Sequence, residues 1–112
     1  MPTERWSDDI WIVRLQNEPV FSDDLHPLLQ RLGRDDSPPA LVIDLSDVNS
    51  INSSNLSQLL KLRKTAAEHN VALRVTSPSD TVWSVFLMTG LDQVFPFTQD
   101  TSTALAELQM GQ

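Results

Sequence analysis

The chain has 112 residues, a length that suits one ordinary domain able to bury a real core. Eight Lys and Arg stand against 15 Asp and Glu, a formal charge of −7 that disfavours nucleic-acid binding, because phosphate contacts need clustered cations. Cysteine is absent, which removes disulfides, thiolate metal sites and cysteine nucleophiles from consideration.

The N-terminal stretch MPTERWSDDI is charged and has no apolar core of the kind a signal peptide carries, and no apolar run approaches the roughly 20 residues of a membrane span. A soluble, cytoplasmic protein with a protein partner is the expectation, with no membrane span, no nucleic acid and no cofactor.

In chain order, Ile10 to Gln16 (IWIVRLQ) is rich in β-branched and aromatic residues and predicts a strand covered on both faces. Asn17 to Phe21 contains Pro19 and reads as a loop. Ser22 to Asp24 then offers cap side chains for a helix over Leu25 to Leu32, with Pro27 fitting only near the helix start and the cap near Asp24. Gly33 is a stop signal, and Arg34 to Pro39 (RDDSPP) is a polar connection.

Ala40 to Leu45 is a short apolar run suited to the middle of a sheet. A turn then leads to a helix in which Leu56, Leu59, Leu60, Leu62, Ala66 and Ala67 form the apolar side and Lys61, Arg63, Lys64 and Glu68 the polar one. Val71 to Thr76 is the next strand, Ser77 to Asp80 a proline turn with capping residues, and Val82 to Thr89 a helix closed by Gly90. Val94 to Phe97 reads as a last strand, and Asp100 or Thr101 caps a helix through Leu108. Strands alternating with helices predict an α/β fold: a mixed, mainly parallel sheet of four to five strands with about four helices, largely on one face.

The junction Leu41 to Leu56 (LVIDLSDVNSINSSNL) carries the most chemistry, since it presents Ser53 and Ser54 at the start of a helix. A hydroxyl there faces free backbone amides and the positive end of the helix dipole, so the position tolerates added negative charge. Two roles remain open on the residues alone: Ser53 or Ser54 caps the helix, or Ser53 accepts a phosphoryl group.

The junction resembles that of the STAS domain family, which includes bacterial anti-sigma factor antagonists. Their pattern D-L-x-x-V-x-x-[ILM]-D-S-[ST]-G-L is met by Asp44, Leu45, Val48, Ile51, Ser53, Ser54 and Leu56, with Asn52 and Asn55 where the family has aspartate and glycine. A second stretch, Thr89 to Phe95 (TGLDQVF), is similar to the family's T-G-L-x-x-[VI]-F, and the resemblance runs roughly from Ile10 to Leu108. It implies a single domain that acts as an anti-sigma factor antagonist rather than an enzyme, with Ser53 the phosphoacceptor of a partner kinase that is also the anti-sigma factor. The partner-binding surface it implies comprises Asn52, Ser54, Asn55 and Leu56, with Asp44 to Asp47 alongside. Asn52 keeps the hydrogen-bonding capacity of the family aspartate and loses its charge.

On the helix Val82 to Thr89, the residues Val82, Val85, Phe86 and Thr89 make one stripe, and Trp83 with Leu87 makes a second. That second pair is read either as an apolar patch for a partner or a second copy in a homodimer, or as deeper burial. Trp6 and Trp11 are read as core or edge cover, and the pairs Asp8, Asp9 and Asp23, Asp24 as solvated turns. His26 and His69 lack further ligands at metal spacing, and no glycine-rich phosphate loop or hydrolase motif occurs. The alternatives from other classes are a STAS scaffold without a phosphate cycle, in a transporter or stress-signalling complex, and a nucleotide sensor.

Overall fold

The computed structural model describes residues 3–7, 9–32 and 39–110. Five strands form one sheet in the order β1-β2-β3-β4-β5: β1 (Thr3–Arg5), β2 (Ile10–Gln16), β3 (Ala40–Asp47), β4 (Leu73–Thr76) and β5 (Phe97–Thr98). β1 runs antiparallel to β2 and every other pair is parallel. The helices are α1 (Val20–Leu32), α2 (Ser53–Glu68), α3 (Asp80–Thr89) and α4 (Thr101–Gln109).

Alternation along the strands sorts the side chains between two cores. Trp11, Val13 and Leu15 of β2, Leu41, Ile43 and Leu45 of β3, and Leu73 and Val75 of β4 face α1, α2 and α3, which contribute Phe21, Leu25, Leu59, Leu62, Val82 and Phe86. The opposite face, with Ile10, Ile12 and Val42, is covered by α4 through Ala104, Leu105 and Leu108. The sheet therefore has three helices on one side and one on the other, as the sequence predicts for a mainly parallel sheet.

Several boundaries differ from the sequence expectation. α1 begins at Val20, not near Asp24, and Pro27 lies inside it. The earlier start follows from Asn17 to Pro19: their carbonyls receive Phe21 and Asp23, and the Glu18 carboxylate accepts the Ser22 N–H at 2.8 Å. Pro27 is exposed, and the four buried anchors Phe21, Leu25, Leu28 and Leu32 hold the helix through the missing hydrogen bond. Asp23 and Asp24 are consequently helical rather than in a turn. Gly33, residues 34–38 and Asp8 lie outside the described residues.

β1 was not legible as a strand in its three polar residues Thr3, Glu4 and Arg5. β3 runs on to Asp47, two residues past Leu45. β4 starts at Leu73, because Asn70 turns left-handed (φ 58°) and the Val71 N–H closes onto the Ala66 carbonyl at 2.8 Å. Leu91–Gln93 forms a single 3₁₀ turn, so the last strand is only Phe97–Thr98 rather than Val94 to Phe97. On α2, Leu60 and Ala67 point outward, and on α3 Thr89 is exposed. The caps agree with expectation at Ser79, Gly90 (φ 74°) and Asp100.

Candidate functional site at the start of α2

Loops that leave the carboxyl ends of neighbouring parallel strands meet at one edge of a sheet. Here the β2–α1 and β3–α2 loops meet in this way. The Asn17 Oδ1 accepts the Asn49 N–H at 2.9 Å and the Ser50 N–H at 3.4 Å, tying one loop to the other. Val48 is fully buried and Ile51 packs against the main core, so the loop is held from below by apolar contacts and from the side by Asn17.

Asn52 caps α2, which settles the first alternative left open by the sequence: neither serine is the cap. Its backbone is extended (φ −112°, ψ 177°) and its Oδ1 accepts the Asn55 N–H at 2.8 Å, while Asn55 Oδ1 accepts the Asn52 N–H at 3.0 Å. This reciprocal pair is a capping box built from two asparagines. Ser53 and Ser54 then occupy the first two helical positions, both exposed. Among the described residues neither hydroxyl makes a hydrogen bond.

Asn55 is only 2% exposed, which corrects the expectation that its side chain faces a partner. Its Nδ2 donates to Glu18 Oε2 at 3.2 Å, so the residue serves as a buried link between the two loops. Glu18 also takes the Ser22 hydroxyl at 2.6 Å, and Ser22 Oγ accepts Gln58 Nε2 at 2.9 Å. The Ser22 hydroxyl and amide, with a smaller contribution from Asn55, hold the Glu18 carboxyl below its ordinary value. Leu56 is buried as well and belongs to the core. Of the five junction residues expected at the surface, Asn52, Ser53 and Ser54 reach it, and Asn55 and Leu56 support them.

Asp44 is also buried, at 7% exposure. It accepts the Ser46 N–H at 2.8 Å and the Thr101 hydroxyl at 3.3 Å, and Arg14 lies 3.7 Å away, itself paired with Glu4 at 2.6 Å. It thus ties β3 to the start of α4 and lies beneath the surface that the resemblance assigns to the partner. Ser46 and Asp47 are exposed.

Trp83 and Leu87 part company. Trp83 is half-buried and meets Phe97 edge to face at 5.0 Å, whereas Leu87 is 51% and its neighbour Met88 84% exposed. Trp11 is buried beneath the Arg31 guanidinium at 4.1 Å, and Trp6 is exposed. Among the described residues no group of three metal-binding side chains occurs, and no helix is long and apolar enough to cross a membrane.

Sequence reasoning did not assign Asn17, Glu18 or Gln58 to the site, and it read Ser22 only as a cap candidate for α1. The signal available was positional: Asn17 and Glu18 follow β2 directly, and the loop after one parallel strand of a sheet lies beside the loop after the next.

A mixed five-stranded sheet, parallel but for one edge pair, with three helices on one face and one on the other, is the architecture of a STAS-type domain. The STAS domain profile matches residues 5–104, and the chain belongs to that family. Comparison with curated proteins finds no significant match. Among solved structures, an anti-sigma factor antagonist from Mycobacterium paratuberculosis is 28% identical, with 96% of this chain and 91% of that chain covered and a TM-score of 0.70. The anti-sigma factor antagonist SpoIIAA in its unphosphorylated form is 14% identical, with coverage of 98% and 96% and a TM-score of 0.78. A chain from the stressosome, a signal integration and transduction hub, is 20% identical, with 96% of each chain covered and a TM-score of 0.75.

Proposed function

We propose that this STAS domain is an anti-sigma factor antagonist whose binding to a partner anti-sigma kinase is switched by phosphorylation of Ser53. The observation that carries this reading is the capping by Asn52, which leaves the Ser53 hydroxyl exposed and unengaged at the first turn of α2. A phosphoryl group would bring about −1.5 to −2 charges and three acceptor oxygens there. The helix dipole and the unpaired first-turn amides stabilise such an anion, so the fold persists while the face seen by a partner changes sign. Asn52, Ser53 and Ser54 form the contact, and a surface complementary to a neutral hydroxyl rejects the phosphorylated one. The role is one of binding, carried out by a soluble cytoplasmic protein, and no cofactor is required.

The test is partner affinity, measured with the partner that co-purifies with the tagged chain. Ser53→Ala retains binding and Ser53→Asp loses it; equal affinity of the two variants overturns the switch.

A second reading, a STAS subunit in a larger assembly without a phosphate cycle, is favoured by the exposed Leu87 and Met88 on α3. That pair, with Trp83 at its edge, would be the subunit contact, in a homodimer or in a stress-signalling or transporter complex.

A further inference from the structure

The chain carries −7 overall, yet α2 holds three cations and one carboxylate. Both lysines of the chain, Lys61 and Lys64, lie on its exposed side one turn apart. Other cations are engaged: Arg14 with Glu4, Arg74 with Glu107, and Arg63 with the Val94 carbonyl at 2.6 Å. Among the described residues Lys61 and Lys64 have no ion pair or hydrogen bond.

Lys61 also forms one wall of a groove of about 400 Å³ between α1 and α2, whose other lining includes Leu25, Pro27, Leu29 and Gln58. The α1 wall carries Asp23 and the imidazole of His26, and the α2 wall carries Lys61, so the groove has a carboxylate on one side and an ammonium on the other, with Leu25, Pro27 and Leu29 among its apolar lining. Ser22 and Gln58, which bond to each other and connect to Glu18, join its upper end to the loops that hold Ser53.

We infer that the outer face of α2 and this groove dock an acidic, amphipathic segment of the protein partner. Its carboxylates meet Lys61 and Lys64, and an apolar side chain enters between Leu29 and Lys61. The charge pattern selects this occupant. A carboxylate turned toward α1 would face Asp23, so only a segment with its acidic stripe on the α2 side fits both walls. A nucleic acid would find only two lysines free of ion pairs, on a strongly acidic chain, with the Asp23 carboxylate on the opposite wall. The inference rests on the binding role proposed above and names the kind of surface the partner presents.

The test is an NMR titration of the isotopically labelled full chain with a helical peptide of about 18 residues that carries a glutamate stripe and a leucine stripe. Amide shifts confined to α1 and to residues 57–65 are expected, with binding weakened about tenfold or more in Lys61→Glu/Lys64→Glu and by added salt. Both lysines are exposed, so the variant's own spectrum verifies that it is folded. No shifts, shifts elsewhere, an equal response to the same peptide with glutamine for glutamate or to single-stranded DNA, or undiminished binding by the variant would each overturn the inference. Phosphorylation of Ser53 is read separately by mass. A failed titration with phosphorylated Ser53 removes the docking face alone, and a successful one with unmodified Ser53 removes the switch alone.

Discussion

Asn52 and Asn55 cap one another at the head of α2, each side chain accepting the other's backbone N–H at 2.8 and 3.0 Å. These are the two positions at which the chain departs from the family pattern, and the departures meet in one structure. Asn52→Ala removes the cap and is expected to cost about 1 kcal/mol, a fall of about 5 °C in Tm on thermal unfolding. Asn52→Asp restores a carboxylate at the positive end of the helix and is expected to unfold at or above the wild-type temperature. A Tm for Asn52→Ala equal to wild type would contradict the assignment of the cap.

Asn55→Gly tests the buried link. The glycine lacks both the bond to Glu18 and the reciprocal cap, and leaves space in a site that is 2% exposed, so a loss of about 1–2 kcal/mol is expected. Urea unfolding of the variant measures it, and an unchanged midpoint would mean that Asn55 does not hold the two loops together.

Glu18 makes the link sensitive to pH. Hydrogen bonds from Ser22 hold its carboxyl below the ordinary value of 4.5. A carboxyl lowered in the folded state stabilises the fold above its unfolded value, and the contribution is lost as the pH falls through the lower, folded one. Glu18→Gln should therefore have a lower Tm than wild type at neutral pH, with the gap closing below about pH 4. A gap that stays constant with pH would contradict this.

Asp24 acts in the opposite sense. Its Oδ2 is buried without a hydrogen-bond partner among the described residues, and desolvation raises its carboxyl above the ordinary range. An acid raised in the folded state opposes folding once ionised, so Asp24→Asn is expected to raise Tm at neutral pH and to lose that advantage in acid. Tm measured against pH for the two proteins decides it.

On α3 the two apolar residues of the outer stripe should separate. Trp83→Ala removes the edge-to-face contact with Phe97 and is expected to cost about 2 kcal/mol, whereas Leu87→Ser should stay within about 0.5 kcal/mol of wild type. Sedimentation of the Leu87→Ser variant reads the second role: if this face joins copies of the chain, the variant alone shifts toward monomer.

The sheet and its helices were legible because Ile10 to Gln16, Ala40 to Leu45 and the α2 stripe each carry a clear period, and Ser79, Gly90 and Asp100 punctuate them. β1 was not, since Thr3 to Arg5 are polar residues whose strand state is set by pairing with β2. The start of α1 was hidden because its cap comes from Glu18, outside the usual serine, threonine and aspartate set, and because Pro27 is tolerated inside a helix anchored by four buried residues. At the site, the sequence placed Ser53 at the helix start, but Asn55 and Asp44 read as surface residues because their partners, Glu18 and Thr101, are far away in the chain.

The central claim is met most directly by intact-mass and peptide mass spectrometry of the protein isolated from its own cells during growth and stress. The account predicts one phosphoryl group, on Ser53. A chain that is unmodified under both conditions, or modified on Ser54 or Ser57 instead, would contradict it.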